Sequence, residues 1–170
     1  MRINNQGFTL IEFLVALIII GMLAFVVSPN IINSLETRDL ENSARNIMTT
    51  FQSAKFRAVK EKLNHRVCFD NSTGIWRFVV EREDTPGTWN EIPGVLGKTV
   101  SSKYNVTVNL PTPDLAVVFS PLGFVTNFDK DKNNILIQSD KLDKFSQPDQ
   151  REVFVFAGGT FKYLKSESGG

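Results

Sequence analysis

The chain has 170 residues and a formal net charge of +1 at neutral pH, with one cysteine and one histidine. That length suits one globular domain together with one long helix. The near-neutral balance gives no electrostatic footprint for nucleic acid, one thiol cannot close an internal disulfide, and one imidazole argues against a histidine metal cluster or a Ser-His-Asp triad.

The first seven residues hold one positive side chain, Arg2, followed by the polar Asn4, Asn5 and Gln6. They are too short and too polar for an ordinary secretory signal, and no small-x-small cleavage site precedes the apolar run. From Phe8 to Val27 the only charge is Glu12. At about 1.5 Å per residue this run is roughly 30 Å long, the thickness of a bilayer core. An ionised glutamate there costs about 2.5–3.5 kcal/mol, so it is expected to have a partner or a task. Arg2 and the initiator amine place the N-terminus in the cytoplasm and everything after about Ser28 on the far side of the membrane.

Gly7-Phe8-Thr9-Leu10-Ile11-Glu12 resembles the class III signal of type IV prepilins and type II secretion pseudopilins. Gly21 and Pro29 fall where such helices often carry softening residues. The resemblance implies cleavage between Gly7 and Phe8 by a prepilin peptidase and N-methylation of Phe8. It also implies that Glu12 accepts the charged amine of a neighbouring subunit's Phe8 in a helical filament. Physical reasoning fits that role, because a buried charge pair is tolerated in one stagger of two helices and penalised in others. An ordinary signal anchor with an idle glutamate is the alternative.

Beyond Pro29, which is expected to kink the helix rather than end it, Leu35, Leu40, Ala44, Ile47, Phe51, Ala54 and Ala58 recur at helical spacing. Glu36, Arg38, Glu41, Arg45 and Gln52 fall on the other side. The helix is expected from about Phe8 to about Glu61, its second half packing on a globular domain. His65 follows as an expected solvated loop residue.

After Asn64 the pattern changes to strands and turns. Arg66–Asp70 and Ile75–Glu81 flank Asn71-Ser72-Thr73-Gly74, a hairpin signature. Glu83–Gly87 reads as a polar turn and Trp89–Val95 as irregular. Further strands are expected at Lys98–Ser101, Tyr104–Leu110, Leu115–Phe119, Asn134–Gln138, Glu152–Phe156 and Thr160–Leu164, the last two joined by Ala157-Gly158-Gly159. Phe69, Trp76 and Phe78 are expected in the core, Cys68 in a buried apolar role, and Trp89 exposed. The expected class is therefore α+β: a long N-terminal helix, pilin-like, on an antiparallel β-sandwich or paired small sheets. The organisation reads as a leader at 1–7, a transmembrane or filament-core helix at 8–28, its amphipathic continuation at 29–63, a β-rich domain at 64–165 and a flexible tail at 166–170.

Val117-Val118-Phe119-Ser120-Pro121-Leu122-Gly123-Phe124, then an Asp/Asn-rich loop, Ile135-Leu136-Ile137 and Arg151-Glu152-Val153-Phe154-Val155 resemble in their order the GspH/FimT-type minor pseudopilins and minor pilins. Some FimT-type proteins bind DNA through a Gly-Arg-x-Arg turn. Here Gly159-Thr160-Phe161-Lys162 lacks the first arginine and has lysine for the second, leaving Lys162 and Lys165 as weak phosphate contacts at most. Nucleic acid is not expected as a partner.

Asp129, Asp131 and Asn133 alternate as calcium ligands would, but the glycine and the bidentate glutamate of an EF-hand are absent and lysines intervene. A polar turn is the simpler reading, and no metal or cofactor is expected. Asn71-Ser72-Thr73 and Asn105-Val106-Thr107 match a glycosylation pattern that has no meaning without the machinery. No nucleophile, base and oxyanion set is visible, so no enzyme is expected. The leading expectation is a structural minor pseudopilin of a type II secretion system, anchored in the inner membrane with a periplasmic domain and built into a pseudopilus. Prepilin peptidase, other pilin or pseudopilin subunits, the assembly platform and its motor are the implied partners. A type IV pilus minor pilin, with or without DNA uptake, and a signal-anchored periplasmic binding domain are the alternatives.

Overall fold

In the computed structural model, the described residues are 9–168, with the side chains of 24–31 left outside the description. The chain divides into two units, Met1–Glu36 and Thr37–Gly170. The first helix, α1, runs Leu10–Glu61 and so contributes to both.

Over Leu10–Leu23 of the first unit the helical surface is exposed and, apart from Glu12, apolar, with Leu10, Ile11, Phe13, Leu17, Ile20 and Leu23 all open, whereas Asn33 and Glu36 farther on are buried. Among the described residues no helix is long and apolar enough to cross a membrane. The span expected at 8–28 includes Phe8 and residues 24–28, which lie outside the described structure or side chains.

The second unit is α+β, as expected. Leu40, Ala44, Ile47, Phe51, Ala54 and Ala58 are fully buried, at alternating spacings of four and three that keep them on one side of α1. Leu35, expected in that stripe, is exposed. The helix stops because Lys62 takes a left-handed φ of 56° at the C-terminal cap, which turns the chain into the first strand.

The strands are β1 (His65–Asp70), β2 (Arg77–Thr85), β3 (Thr88–Glu91), β4 (Lys98–Thr99), β5 (Asn105–Asn109), β6 (Ala116–Phe119), β7 (Asn134–Gln138), β8 (Gln150–Val155) and β9 (Phe161–Ser166). A short helix, α2 (Asp140–Asp143), precedes β8. One antiparallel sheet has the order β3-β2-β1-β6 with β4 on β2, and the other the order β5-β7-β8-β9. Strand alternation sends Val67, Phe69, Phe78, Val80, Val117 and Phe119 of the first sheet inward, and Ile135, Ile137, Val153 and Val155 of the second.

Phe51 joins the two sheets. Its ring lies 6.0 Å from Phe69, 6.3 Å from Phe119 and 5.6 Å, nearly parallel, from Phe161. Such pairs add about 0.5–1.5 kcal/mol each beyond their buried area. The alanines of the stripe let the helix backbone come close on either side.

Several local expectations change. His65 is the first residue of β1 and fully buried, because the turn at Lys62 brings it to the inward parity shared with Val67 and Phe69. Its Nδ1 lies 3.0 Å from Leu63 O and its Nε2 3.3 Å from Glu61. The stretch expected as a polar turn, Glu83–Gly87, continues β2 to Thr85 and pairs with β3, through a bulge between Glu83 and Thr85. Trp89 in β3 is half-buried under the Arg66 guanidinium, 4.6 Å from the ring centre, rather than free. Trp76 packs against the core only partly.

α2 follows from Ser139, whose hydroxyl caps the Leu142 amide while Leu142 is fully buried. β9 runs to Ser166, and the Ser168 amide donates to Asp149 Oδ1 at 2.9 Å, so the tail is held through residue 168. Asp149 is almost fully buried and also accepts from Gln138 Nε2 at 3.0 Å.

The β8–β9 turn is tied to α1. Lys55 Nζ donates to Gly159 O at 2.8 Å, and a Cβ on Gly159 (φ +66°) would sit 2.2 Å from Gly123 O. No atom lies within 4 Å of the same position on Gly158. Gly159→Ala is therefore expected to lower stability by about 1–3 kcal/mol, whereas Gly158→Ala changes it by no more than about 0.5 kcal/mol; denaturant unfolding of the full chain in detergent checks the contrast.

Burial raises the Asp149 carboxyl, but the hydrogen bonds from Ser168 and Gln138 outweigh it and hold the group below its ordinary 3.8. A depressed native pKa stabilises above the unfolded value and is lost as pH falls through the native one. The thermal midpoint should therefore drop on acidification from about pH 5 to about pH 3, and Asp149→Asn should be less stable at pH 7 and flatter over that interval.

Candidate functional site

The candidate site is the start of α1. Gly7 and Phe8, the expected cleavage pair, lie outside the described residues. Thr9 and Glu12 form a reciprocal capping box: the Thr9 amide and hydroxyl donate to Glu12 Oε2 at 2.8 and 2.9 Å, and the Glu12 amide approaches Thr9 Oγ1 at 3.3 Å. Phe13 N donates to Thr9 O at 3.2 Å and opens the helical ladder. This Thr-x-x-Glu signature is legible in the sequence as a helix start, in addition to the contact between subunits that the resemblance implies for Glu12.

The cap does not hide the carboxylate. Glu12 is exposed, and the groove it borders, about 340 Å³, is otherwise lined by Ile11, Val15, Ala16 and Ile19. Ala16 leaves a recess one turn beyond the carboxylate. Both bonds of the cap fall on Oε2, so the site is an anionic oxygen on an apolar helical wall. Chemically that suits pairing with a cation, with apolar contacts on each side.

The weaker candidates do not assemble into sites. Asp129 Oδ1 accepts the Asp131 amide at 2.9 Å, which closes a local turn. The carbonyl of Asp131 accepts from Asn109 Nδ2 at 2.9 Å, and that of Asn133 from the Val155 amide at 2.9 Å. These oxygens hold the loop to β5 and β8. Among the described residues no group of three or more His, Cys, Asp or Glu could hold a metal ion.

Lys162 and Lys165 are exposed on β9 but an odd number of residues apart, and so on opposite faces of the strand. Lys162 stands across from Phe154 and Lys165 across from Arg151, and they do not converge on one phosphate.

Cys68 is half-buried, its Sγ 3.3 Å from Asp114 O. Burial pushes its thiol up, and the Glu81 carboxylate adds to this. That leaves little thiolate for nucleophilic chemistry.

The residues that sequence reasoning passed over are buried polar groups. Arg151 is fully buried, its Nη1 donating to Pro148 O at 2.9 Å and Gln150 O at 2.8 Å, with Nη2 3.7 Å from Glu41. An arginine at an inward strand position is the signal that marks it.

The pattern described as the prokaryotic N-terminal methylation motif matches residues 2–28. No curated protein matches the chain. Among solved structures, the fold is similar to a structure of the minor pseudopilin EpsH from the type 2 secretion system of Vibrio cholerae. The identity is 15%, the TM-score 0.57, and the match covers 75% of this chain and 97% of that one. A second structure of EpsH from the same organism matches at 12% identity and a TM-score of 0.54, covering 78% and 98%. In its N-terminal motif and in its fold, the chain resembles the type IV pilin-like proteins and, within them, the minor pseudopilins.

Proposed function

We propose that this chain is a structural subunit of a pilin-like filament, a minor pseudopilin of a type II secretion system, and not an enzyme. The observation that carries the reading is Glu12, an exposed carboxylate on an otherwise apolar helical surface within the methylation motif. The likeness of the globular unit to EpsH supports the secretion system over a pilus.

In this reading prepilin peptidase cuts between Gly7 and Phe8 and methylates Phe8. Before assembly, the segment 8–28 spans the inner membrane with the N-terminus in the cytoplasm, and the β-rich unit is periplasmic. An assembly platform and its motor then extract the subunit. Apolar helix surface replaces lipid with neighbouring helices, so the net gain is small and the contact must be specified by something else. Glu12 supplies that specification. The new amine of a neighbouring Phe8 is a cation in an apolar setting, and pairing it with Glu12 offsets about 2.5–3.5 kcal/mol for the idle glutamate. Only one stagger of the two helices permits the pair.

The capping box allows this role to be separated from simple helix capping. Thr9→Val removes the capping hydroxyl and keeps the carboxylate; Glu12→Ala removes both functions. Both variants are expected to insert and to be cleaved, seen as loss of Met1–Gly7 by mass spectrometry. Incorporation into filaments should fall by about tenfold or more for Glu12→Ala and stay near the parent level for Thr9→Val. Equal incorporation of all three chains would refute the pairing.

The system itself is tested by a clean deletion scored for extracellular proteins and for surface pili with DNA uptake. Loss of secreted proteins with normal pili is the expected outcome. Loss of pili or transformation with normal secretion would assign the chain to a type IV pilus.

A further inference from the structure

β9 ends its sheet, and among the described residues no strand pairs with its outer side. The Phe156 amide donates to Thr160 O at 3.0 Å, which sets the parity of the β8–β9 ladder. Thr160, Lys162, Leu164 and Ser166 therefore direct their backbone groups to β8, while Phe161, Tyr163 and Lys165 direct theirs outward. Three consecutive outward sites leave donors and acceptors facing away from the sheet.

This edge lies beside an apolar groove. A cavity of about 570 Å³ is lined by Met48, Gln52, Phe56 and Val59 of α1 and by Thr160 and Phe161 at the start of β9. Phe56 is 66% exposed there, a large aromatic without burial. Helix and strand run side by side in opposite directions. Lys55 binds Gly159 O, Phe51 stacks on Phe161, and Arg151, which stands across from Lys165, reaches Glu41. Fourteen residues of helix cover roughly 21 Å, and six residues of strand roughly 20 Å, so helix and edge run together for the length of one short added strand, with the groove at its Phe161 end.

We propose that the outer edge of β9 is a docking site for an extended segment of a partner protein, which adds as a fifth strand and alternates apolar side chains with carboxylates. Apolar side chains on the helix side of that strand enter the groove at Phe56 and Phe161. Carboxylates on its other face meet Lys162. Charge selects the occupant. The charged side chains of β9 are Lys162 and Lys165, so a second copy pairing β9 to β9 about Tyr163 would set Lys162 across from Leu164 and Lys165 across from Phe161, bringing two more lysines to the edge and no carboxylate. An acidic strand removes that penalty, and lysines on a free edge also discourage indiscriminate pairing.

The test uses the full chain in detergent micelles and a synthetic peptide alternating valine and glutamate, about eight residues long to span the edge, with the valine–lysine peptide as its counterpart. Hydrogen exchange is read residue by residue. The valine–glutamate peptide is expected to slow exchange at the Phe161, Tyr163 and Lys165 amides by about tenfold or more, with binding that weakens as salt rises. Lys162→Glu is expected to weaken that peptide by about tenfold and to favour the valine–lysine peptide. Lys165→Pro, which removes an outward N–H and leaves the β8 ladder intact, should weaken both.

No added protection at those three amides would overturn the proposal. So would equal binding of the two peptides, or peptide binding unchanged in both variants. Protection that appears without peptide and grows with protein concentration would instead assign the edge to a second copy, also overturning it. None of these outcomes bears on Glu12 or on cleavage at Gly7, so the docking site and the filament role stand or fall separately.

Discussion

The buried stripe of α1 has to serve two sheets at once, and the arrangement of the globular unit depends on it. No strand of the first sheet is a ladder neighbour of a strand in the second among the described residues. Apart from the Val125 amide, which donates to Ala157 O at 2.9 Å, their relative placement is set by side chains that both touch, with Phe51 lying against Phe69 and Phe119 of one sheet and Phe161 of the other. Apolar packing supplies most of the stabilisation but little direction. A helix resting on a smooth apolar floor could slide by a turn at modest cost if nothing else opposed it.

Directed contacts supply that opposition. Lys55 holds the carbonyl of Gly159, and the closeness of Gly159 to Gly123 O leaves no room for a side chain at the junction. Near the other end of β9, the guanidinium of Arg151 is taken fully out of water; Nη1 donates to two carbonyls and Nη2 lies 3.7 Å from Glu41, while Nε makes no hydrogen bond among the described residues. A buried cation is a poor source of net stability, since its desolvation cancels much of the attraction. It is a strong source of specificity, because any shift of α1 would leave the charge uncompensated. The two contacts bracket Phe51 along the helix and fix its register on β9.

The elements that were legible in the sequence are those with a strong period. The buried stripe of α1, its end at Glu61 and the limits of β7 follow from apolar spacing. β3 and the far half of β2 did not, because Arg82, Glu83, Asp84 and Asn90 are polar. Besides its backbone ladder, that hairpin is held by side chains that reach across it, Asn90 Nδ2 donating to Asp84 at 2.9 Å, and into its turn, Glu83 accepting the Gly87 amide at 2.8 Å. The burial of His65 is not legible in the sequence, because the left-handed turn before it falls on Lys62, where no glycine announces it. The held tail was missed because the groups that bind it, Asp149 and Asp143, lie 25 residues or fewer upstream with no pattern linking them to Ser168. At the candidate site the carboxylate was legible as an isolated charge, while its neighbours Gly7 and Phe8 stand beyond the described chain.

β6 shows how a side chain can complete what a short stretch of backbone begins, since the Thr126 amide donates to Val118 O at 2.9 Å on its far side. Its partner on one side is β1, and on the other side Asn127 lies against it, Oδ1 accepting the Val118 amide at 2.9 Å and Nδ2 donating to Ala116 O at 2.8 Å. That amide carries the same donor and acceptor pair as a peptide unit, so it closes part of an edge that would otherwise be open to foreign strands. The clasp works only while the group remains an amide. Hydrolysis of Asn127 to aspartate would set two oxygens face to face at Ala116, so slow chemical ageing at this one position would unlatch the edge of the first sheet.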